Sequence, residues 1–93
     1  MPTYVVERYL PRMTEQRFAA AADQTRRLAA GSGLTCTRSM LLVRDEIGMF
    51  VLEADSAESI ATMLDRAGVE FERITEAVEG PAPGEPGAPA ASD

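Results

Sequence analysis

The residues that could do chemistry begin in the first strand-like stretch of the chain, Thr3 to Leu10, which reads TYVVERYL. Successive strand residues point to opposite faces of a sheet. Because Val5 and Val6 are adjacent, this strand carries apolar groups on both faces and belongs in the middle of a sheet. The carboxylate of Glu7 then needs a partner there. It could form an ion pair, hold a ligand or act as a general base.

Four further residues could join Glu7 on one face of a sheet. Tyr9 lies two positions along the same strand, and Met40 follows Arg38 by two positions in a second strand. A long arginine side chain could cross one intervening strand, about 10 Å, towards Glu7. Arg38 and Glu7 could also bracket one small polar ligand, with Met40 lining its pocket. Glu76 would neighbour Glu7 from the other side if the parity of its strand matches.

A purely structural role for the same charges is the alternative. Glu7 and Arg38 could form an ion pair with no ligand, or Glu7 and Arg8 could lie at a solvated dimer rim. Glu53 is expected to have the opposite parity and to face solvent. The sequence does not decide between these roles.

The residue types that are missing limit the chemistry further. The chain has no histidine, so it lacks the usual general base near neutral pH and the commonest nitrogen ligand of transition metals. Cys36 is the only cysteine, and a lone strand cysteine is more typical of a small buried residue than of a nucleophile. No glycine-rich phosphate-binding loop is present. Histidine-dependent serine, cysteine or zinc catalysis is therefore excluded, and no cofactor is expected.

Hydrophobic periodicity predicts the elements that must position these residues. After the first strand, Thr14 is expected to cap a helix that runs to Ala30 with Gly31 just beyond its end. A second helix is expected to begin at Asp55 or Ser56 and to end near Ala67.

Three more strands are predicted, covering Leu34–Val43, Ile47–Ala54 and Val69–Val78. Alternation in the second strand places one set on a common face, namely Leu34, Cys36, Arg38, Met40 and Leu42. The charged turn Arg44–Glu46 would join the second and third strands as a hairpin, and Gly48 hints at a bulge.

The order β-α-β-β-α-β is that of an α+β ferredoxin-like fold. With right-handed crossovers, the antiparallel sheet has the order 4-1-3-2, and both helices pack on one face. We expect this domain to span residues 1–79, and residues 80–93, rich in proline, alanine and glycine, to form a disordered tail. The other sheet face needs a second copy or a ligand to cover it, as in dimeric α+β barrels.

Charge and cysteine content indicate which partners to expect. The 93-residue chain has a net charge of −6, which argues against nucleic acid or an anionic membrane as its main partner. No apolar run is long enough for a transmembrane helix and no signal segment is visible, so a cytoplasmic location is expected. A single cysteine fits a reducing compartment.

Three segments resemble a family of small bacterial domains of unknown function: PTYVVERYLP, MFVLEADSAESI and AGVEFERITEAV. The resemblance extends from Pro2 to Val78. It implies a ferredoxin-like fold that dimerises, and one branch of the family is described as nickel-binding. This chain has Cys36-Thr37-Arg38-Ser39-Met40 where that family has an aromatic-x-His-Ser-Tyr stretch.

Three functions follow from these observations. The preferred one is a non-catalytic homodimeric module, binding or structural, that could hold a small apolar-to-anionic ligand on its open face. The second is a cofactor-independent isomerase, cyclase or monooxygenase that uses Glu7. Nickel binding ranks third, because sites made only of carboxylates favour harder cations.

Overall fold

A computed structural model describes residues 1–81 and confirms the predicted ferredoxin-like architecture. The sheet has the order β2-β3-β1-β4, which is the predicted one, and all neighbouring strands are antiparallel. Apart from residues 80 and 81, the tail predicted for residues 80–93 lies outside the described residues. The elements are β1 (Thr3–Tyr9), α1 (Glu15–Gly31), β2 (Thr35–Leu42), β3 (Ile47–Glu53), α2 (Ala57–Arg66) and β4 (Arg73–Ala77).

Hydroxyl side chains cap both helices. Thr14 Oγ1 accepts the backbone N–H of Arg17 at 3.1 Å, and Ser56 Oγ accepts the backbone N–H of Ser59 at 3.2 Å. Each cap satisfies a backbone donor that has no partner within its helix. Of the two candidates for the second cap, Ser56 is therefore the one used. The first helix runs slightly past its predicted end, because the left-handed residue that terminates it is Gly33 (φ 74°) and not Gly31.

The hydrophobic core lies between one face of the sheet and the two helices. Val6, Phe50 and Leu52 are completely or almost completely buried on the sheet side. Ala29 of α1 and Ile60 of α2 are fully buried against them. This packing shows which strand parity faces the helices: the even-numbered residues of β1 and β3 face the helices, and the odd-numbered residues lie on the opposite side.

The side of the sheet opposite the helices has no covering element within residues 1–81, and we call it the open face. Cross-strand register arranges its side chains in four rows that cross the strands. From the β2–β3 turn outwards, the rows are Leu42–Ile47–Tyr9, Met40–Met49–Glu7–Arg73, Arg38–Val51–Val5–Thr75 and Thr35–Glu53–Thr3–Ala77.

A β-bulge in β2 changes the predicted facing of that strand. Cys36 pairs with Leu52, but the next pair is Arg38 with Val51, so Thr37 is the extra residue. Arg38 is therefore on the open face while Cys36 faces the helices, and the prediction that they share a face was wrong. Leu34 is likewise buried in the core, whereas Met40 and Leu42 remain with Arg38.

Close packing requires a glycine at position 48. The β-bulge that this glycine suggested in β3 is absent, because β3 pairs regularly with both of its neighbours around Gly48. A Cβ atom at this position would lie 2.6 Å from Leu10 Cδ1 and 3.1 Å from Phe50 Cε2. The absence of a side chain lets the aromatic ring and the end of β1 pack directly over the β3 backbone.

The fourth strand is shorter than predicted and begins at Arg73. Val69 is buried in the core next to the end of α2, so residues 69–72 pass from the helix layer to the sheet. The backbone N–H of Glu72 donates to the carbonyl of Glu7 at 2.7 Å and so guides the chain into the sheet beside β1.

Candidate functional site

The partner of Glu7 is Arg73, which the sequence analysis did not single out. The two residues are direct cross-strand neighbours between β1 and β4, and Arg73 Nε donates to Glu7 Oε2 at 2.5 Å. The side chain of Glu7 is 20% exposed and that of Arg73 is 71% exposed. The carboxylate is therefore neutralised within one sheet, by a cation that remains in contact with solvent.

Arg38 and Met40 lie on the same open face as Glu7 but on the other side of β3. Met40 pairs with Met49, which pairs in turn with Glu7, so one methionine separates the two candidate residues. Arg38 lies one row further along and forms no ion pair with the other residues from 1 to 81. Within residues 1–81, the possible Glu7–Arg38 pair is thus not formed, and Arg38 lies beside Val51 without an ion pair.

Two other carboxylates, Glu76 and Glu53, lie on opposite sides of the sheet. Glu76 pairs with Tyr4 on the helix-facing parity, so it does not join Glu7. Glu53 pairs with Thr3, whose parity is that of Glu7, and so lies on the open face, in its outermost row. The earlier assignment of opposite parity to Glu53 was wrong because it did not fix the register between β1 and β3. Tyr9, as expected, shares the face with Glu7 and is 55% exposed.

The part of the open face nearest the β2–β3 turn is apolar and partly uncovered. Met40 is 41% exposed and Leu42 is 38% exposed, although both belong to a regular strand. Val51 is shielded in the single chain by its cross-strand neighbours, Val5 on one side and the two bulge residues on the other. Within residues 1–81, the face therefore combines an exposed apolar area with one ion pair between β1 and β4 and two charges that form no ion pair, Arg38 on β2 and Glu53 on β3.

Arg8 occupies the opposite side of β1 from Glu7 and contacts the helix layer. Its guanidinium lies 5.7 Å from the centre of the Phe50 ring, and its Nε donates to the carbonyl of Glu70 at 3.1 Å. One terminal nitrogen, Nη1, is buried with no hydrogen-bond partner among residues 1–81. Burial lowers the pKa of Arg8, because desolvation disfavours the charged form. The predicted placement of Arg8 with Glu7 at a solvated rim is therefore wrong.

Cys36 faces α1 in a groove at the β2 edge. The groove has a volume of about 350 Å³ and includes Phe18, Ala22 and Ser39 in its lining. The thiol is half-buried, 3.8 Å from the carbonyl oxygen of Arg38 and 4.0 Å from Ser39 Oγ. The two groups nearest the thiol are therefore uncharged, although Arg26 and Arg38 also line the groove.

Other grooves of the single chain lie away from the open face. One of about 540 Å³ separates the ends of the two helices and is lined by Leu28, Ser59, Thr62 and Arg66 among others. Its side chains are mostly small or exposed, and they converge on no common point. A site enclosed on both sides at the open face requires a second covering layer, because no element within residues 1–81 covers that face.

Residues 1–81 form neither a cluster of metal-binding side chains nor a membrane-spanning helix. No three cysteine, aspartate or glutamate side chains in this range come together in a way that could hold a metal ion. The donor set that nickel would need is therefore not assembled in this part of the chain. Neither of the two helices has the length and apolar character needed to cross a bilayer.

The sequence did not indicate Arg73 because the fourth strand was expected to begin four residues earlier. The residue of that strand that lies opposite Glu7 of β1 was therefore not known. The available signal was its position in the segment FERIT, where arginine alternates with Ile74 across the strand. Comparison of the chain with known protein families, curated proteins and solved structures finds no match. The geometry of the open face therefore carries the functional argument alone.

Proposed function

We propose that the protein is a homodimeric binding module in which two open faces pack against each other around a small ligand. The observation that carries this proposal is the uncovered apolar corner of the open face next to the β2–β3 turn, where Met40, Leu42 and Tyr9 are each more than a third exposed. Apolar groups of this kind on a regular sheet are stabilised by removal from water. A second copy supplies an identical apolar layer by a two-fold operation.

The size of the face sets the expected strength of the dimer. Four strands at about 4.8 Å spacing and about 20 Å length give a face of roughly 400 Å². If about half of it is apolar, burial contributes about 5 kcal/mol per copy, or roughly 10 kcal/mol per dimer. Association costs about 4–15 kcal/mol in lost freedom. We therefore expect a reversible dimer whose population depends on concentration, and a ligand between the sheets would increase that population.

The ion pair on the open face favours binding over catalysis. The carboxylate of Glu7 accepts a hydrogen bond from Arg73 Nε, so the oxygen that a general base would offer to a substrate proton is already engaged. A cofactor-independent isomerase, cyclase or monooxygenase based on Glu7 remains the alternative, and Glu7→Gln tests it. Loss of a measured turnover in a folded Glu7→Gln protein would establish the enzyme and overturn the preference for a binding module.

The dimer is tested by light scattering coupled to size-exclusion chromatography over a hundredfold range of protein concentration. Leu42→Glu places a charge on the open face at a position that is 38% exposed in the single chain, so the fold tolerates it. We expect this variant to be monomeric at concentrations where the parent protein is dimeric. Val78→Glu is the matched control, because Val78 is 94% exposed and lies beyond β4.

Two outcomes would contradict the proposal. A parent protein that is monomeric throughout the concentration range would exclude the face-to-face dimer. A dimer that Leu42→Glu and Val78→Glu leave equally intact would place the interface elsewhere. Circular dichroism on each variant establishes that the fold is retained.

A further inference from the structure

Within residues 1–81, Arg38 is the charge on the open face that forms no ion pair and lies in a row with apolar side chains. Glu7 and Arg73 neutralise each other within the single chain. Glu53 lies in the outermost row, beside the hydroxyl residues Thr3 and Thr35. Arg38 is in the adjoining row, next to the apolar residues Val51 and Val5, and forms no ion pair within residues 1–81.

An apolar track leads from Arg38 towards the β2–β3 turn. Met40 and Leu42 follow it on the same face of β2, and Met49 and Ile47 are their partners on β3. Four residues of strand separate Arg38 from Leu42, a span of about 13 Å. Tyr9 closes the last row at the far end, where it pairs with Ile47. The track therefore has a cation at one end and an aromatic ring at the other.

We propose that the open face binds a medium-chain carboxylic acid, with its carboxylate on Arg38 and its apolar chain along this track. A guanidinium matches a single carboxylate through two parallel hydrogen bonds. An extended chain advances about 3.6 Å for every three bonds, so a span of about 13 Å corresponds to roughly ten or eleven bonds, or an acid of about eleven carbons. This inference rests on the proposed dimer, because the second sheet provides the upper wall of the site.

Phosphate-bearing ligands fit the face less well. A phosphate group carries more charge and more acceptor oxygens than one arginine can neutralise. The other arginine on the face, Arg73, is occupied by Glu7 at 2.5 Å. A single free guanidinium beside apolar side chains therefore selects a monocarboxylate with an apolar body.

Calorimetric titration of the full chain with decanoate, below its micelle-forming concentration, tests the assignment. We expect decanoate to bind at least tenfold more tightly than decanol, because only decanoate carries the charge that Arg38 recognises. Each methylene added between hexanoate and decanoate should improve affinity by about threefold, as the chain buries more apolar surface. The gain should stop in longer acids, whose chains extend beyond the track.

Arg38→Gln is the decisive variant, and Arg44→Gln in the β2–β3 turn is its matched control. Arg38→Gln should weaken decanoate binding by at least tenfold and leave decanol unchanged, whereas Arg44→Gln should alter neither. Equal binding of decanoate and decanol, or equal effects of the two variants, would overturn the carboxylate assignment.

Light scattering on the same samples separates this inference from the proposed function. A dimer that does not bind decanoate would overturn the ligand class and leave the dimeric module in place. A protein that is monomeric with and without decanoate would overturn both. Backbone amide shifts provide the location, since ligand binding must perturb β2 and β3 residues of the open face; perturbations confined to the helices would also exclude the site.

Discussion

The bulge at Thr37 decides which side of the sheet receives Arg38, and two single-residue deletions test it. Between Cys36–Leu52 and Leu42–Ile47, β2 has one residue more than β3. Deletion of Thr37 leaves a regular ladder in which Arg38 still pairs with Val51 on the open face. Deletion of Ser39 also leaves a regular ladder, but it moves Arg38 opposite Phe50 and beneath α1. The two deletions thus have equal length and opposite consequences for one charge.

The structure gives the size of each effect. Deletion of Thr37 removes the hydrogen bond from its hydroxyl to the Val51 carbonyl, which at 3.4 Å is long, and replaces a bulge with a regular pair. We expect a change in the free energy of unfolding below about 1 kcal/mol. Deletion of Ser39 places an unpaired guanidinium against the core, and an uncompensated buried charge costs about 3–5 kcal/mol. Because β2 is an edge strand, the long side chain can partly reach water, which reduces this cost to about 2 kcal/mol.

Urea unfolding followed by circular dichroism measures the difference. With a denaturant dependence of about 1 kcal/mol per molar urea, the Ser39 deletion should unfold at a urea concentration roughly 1–2 M lower than the Thr37 deletion. Arg38→Leu should restore stability in the Ser39-deleted protein, because it removes the misplaced charge, and should have little effect in the Thr37-deleted protein. The reasoning fails if deletion of Thr37 is at least as destabilising as deletion of Ser39, or if Arg38→Leu rescues neither protein.

Five substitutions test other contacts by urea unfolding. Gly48→Ala should destabilise by about 1–3 kcal/mol, since its methyl group would lie 2.6 Å from the nearest side-chain carbon. Gly31→Ala in α1 meets open space and should stabilise by about 0.5–1 kcal/mol; equal signs for the two glycines would contradict the packing argument. A double-mutant cycle with Glu7→Gln and Arg73→Gln should give a coupling below about 1 kcal/mol that falls with salt, since Arg73 is largely exposed; a larger, salt-independent value would indicate a buried pair. Arg8→Met should change stability by less than about 1 kcal/mol, because the loss of the Phe50 and Glu70 contacts is offset by removal of a desolvated nitrogen; a large loss would show that the guanidinium has a partner.

The sequence was sufficient for the architecture because local signals agreed along most of the chain. Thr14 and Ser56 are good helix caps, and glycines follow both helices. Alternation in β1 separates the buried Val6 from Val5 on the open face. These features depend only on residues that are close in the sequence, so they can be recognised without knowledge of the tertiary contacts.

The bulge could not be predicted because both parities of β2 are apolar at one end. Leu41 faces the helices while Met40 and Leu42 lie on the open face, so hydrophobicity does not choose between the two sides there. At the other end, the core requires Leu34 and Cys36 on the helix side. One extra residue between the two ends of β2 lets each end face the side that it requires. Only the pairing of β2 with β3 shows where this extra residue lies.

The ion pair of Glu7 also depends on strand register, and it changes which charged side chain of the open face is available to a ligand. Parity in β4 depends on where that strand enters the sheet, and the entry is set by the Glu72 N–H to Glu7 carbonyl hydrogen bond rather than by alternation. This register brings Arg73 opposite Glu7, and the arginine neutralises the Glu7 carboxylate. Among residues 1–81, the charge that lies beside apolar side chains of this face without an ion pair is then Arg38. A face organised around a free arginine favours recognition of an anion, whereas one organised around a free carboxylate would have favoured base catalysis or a cation.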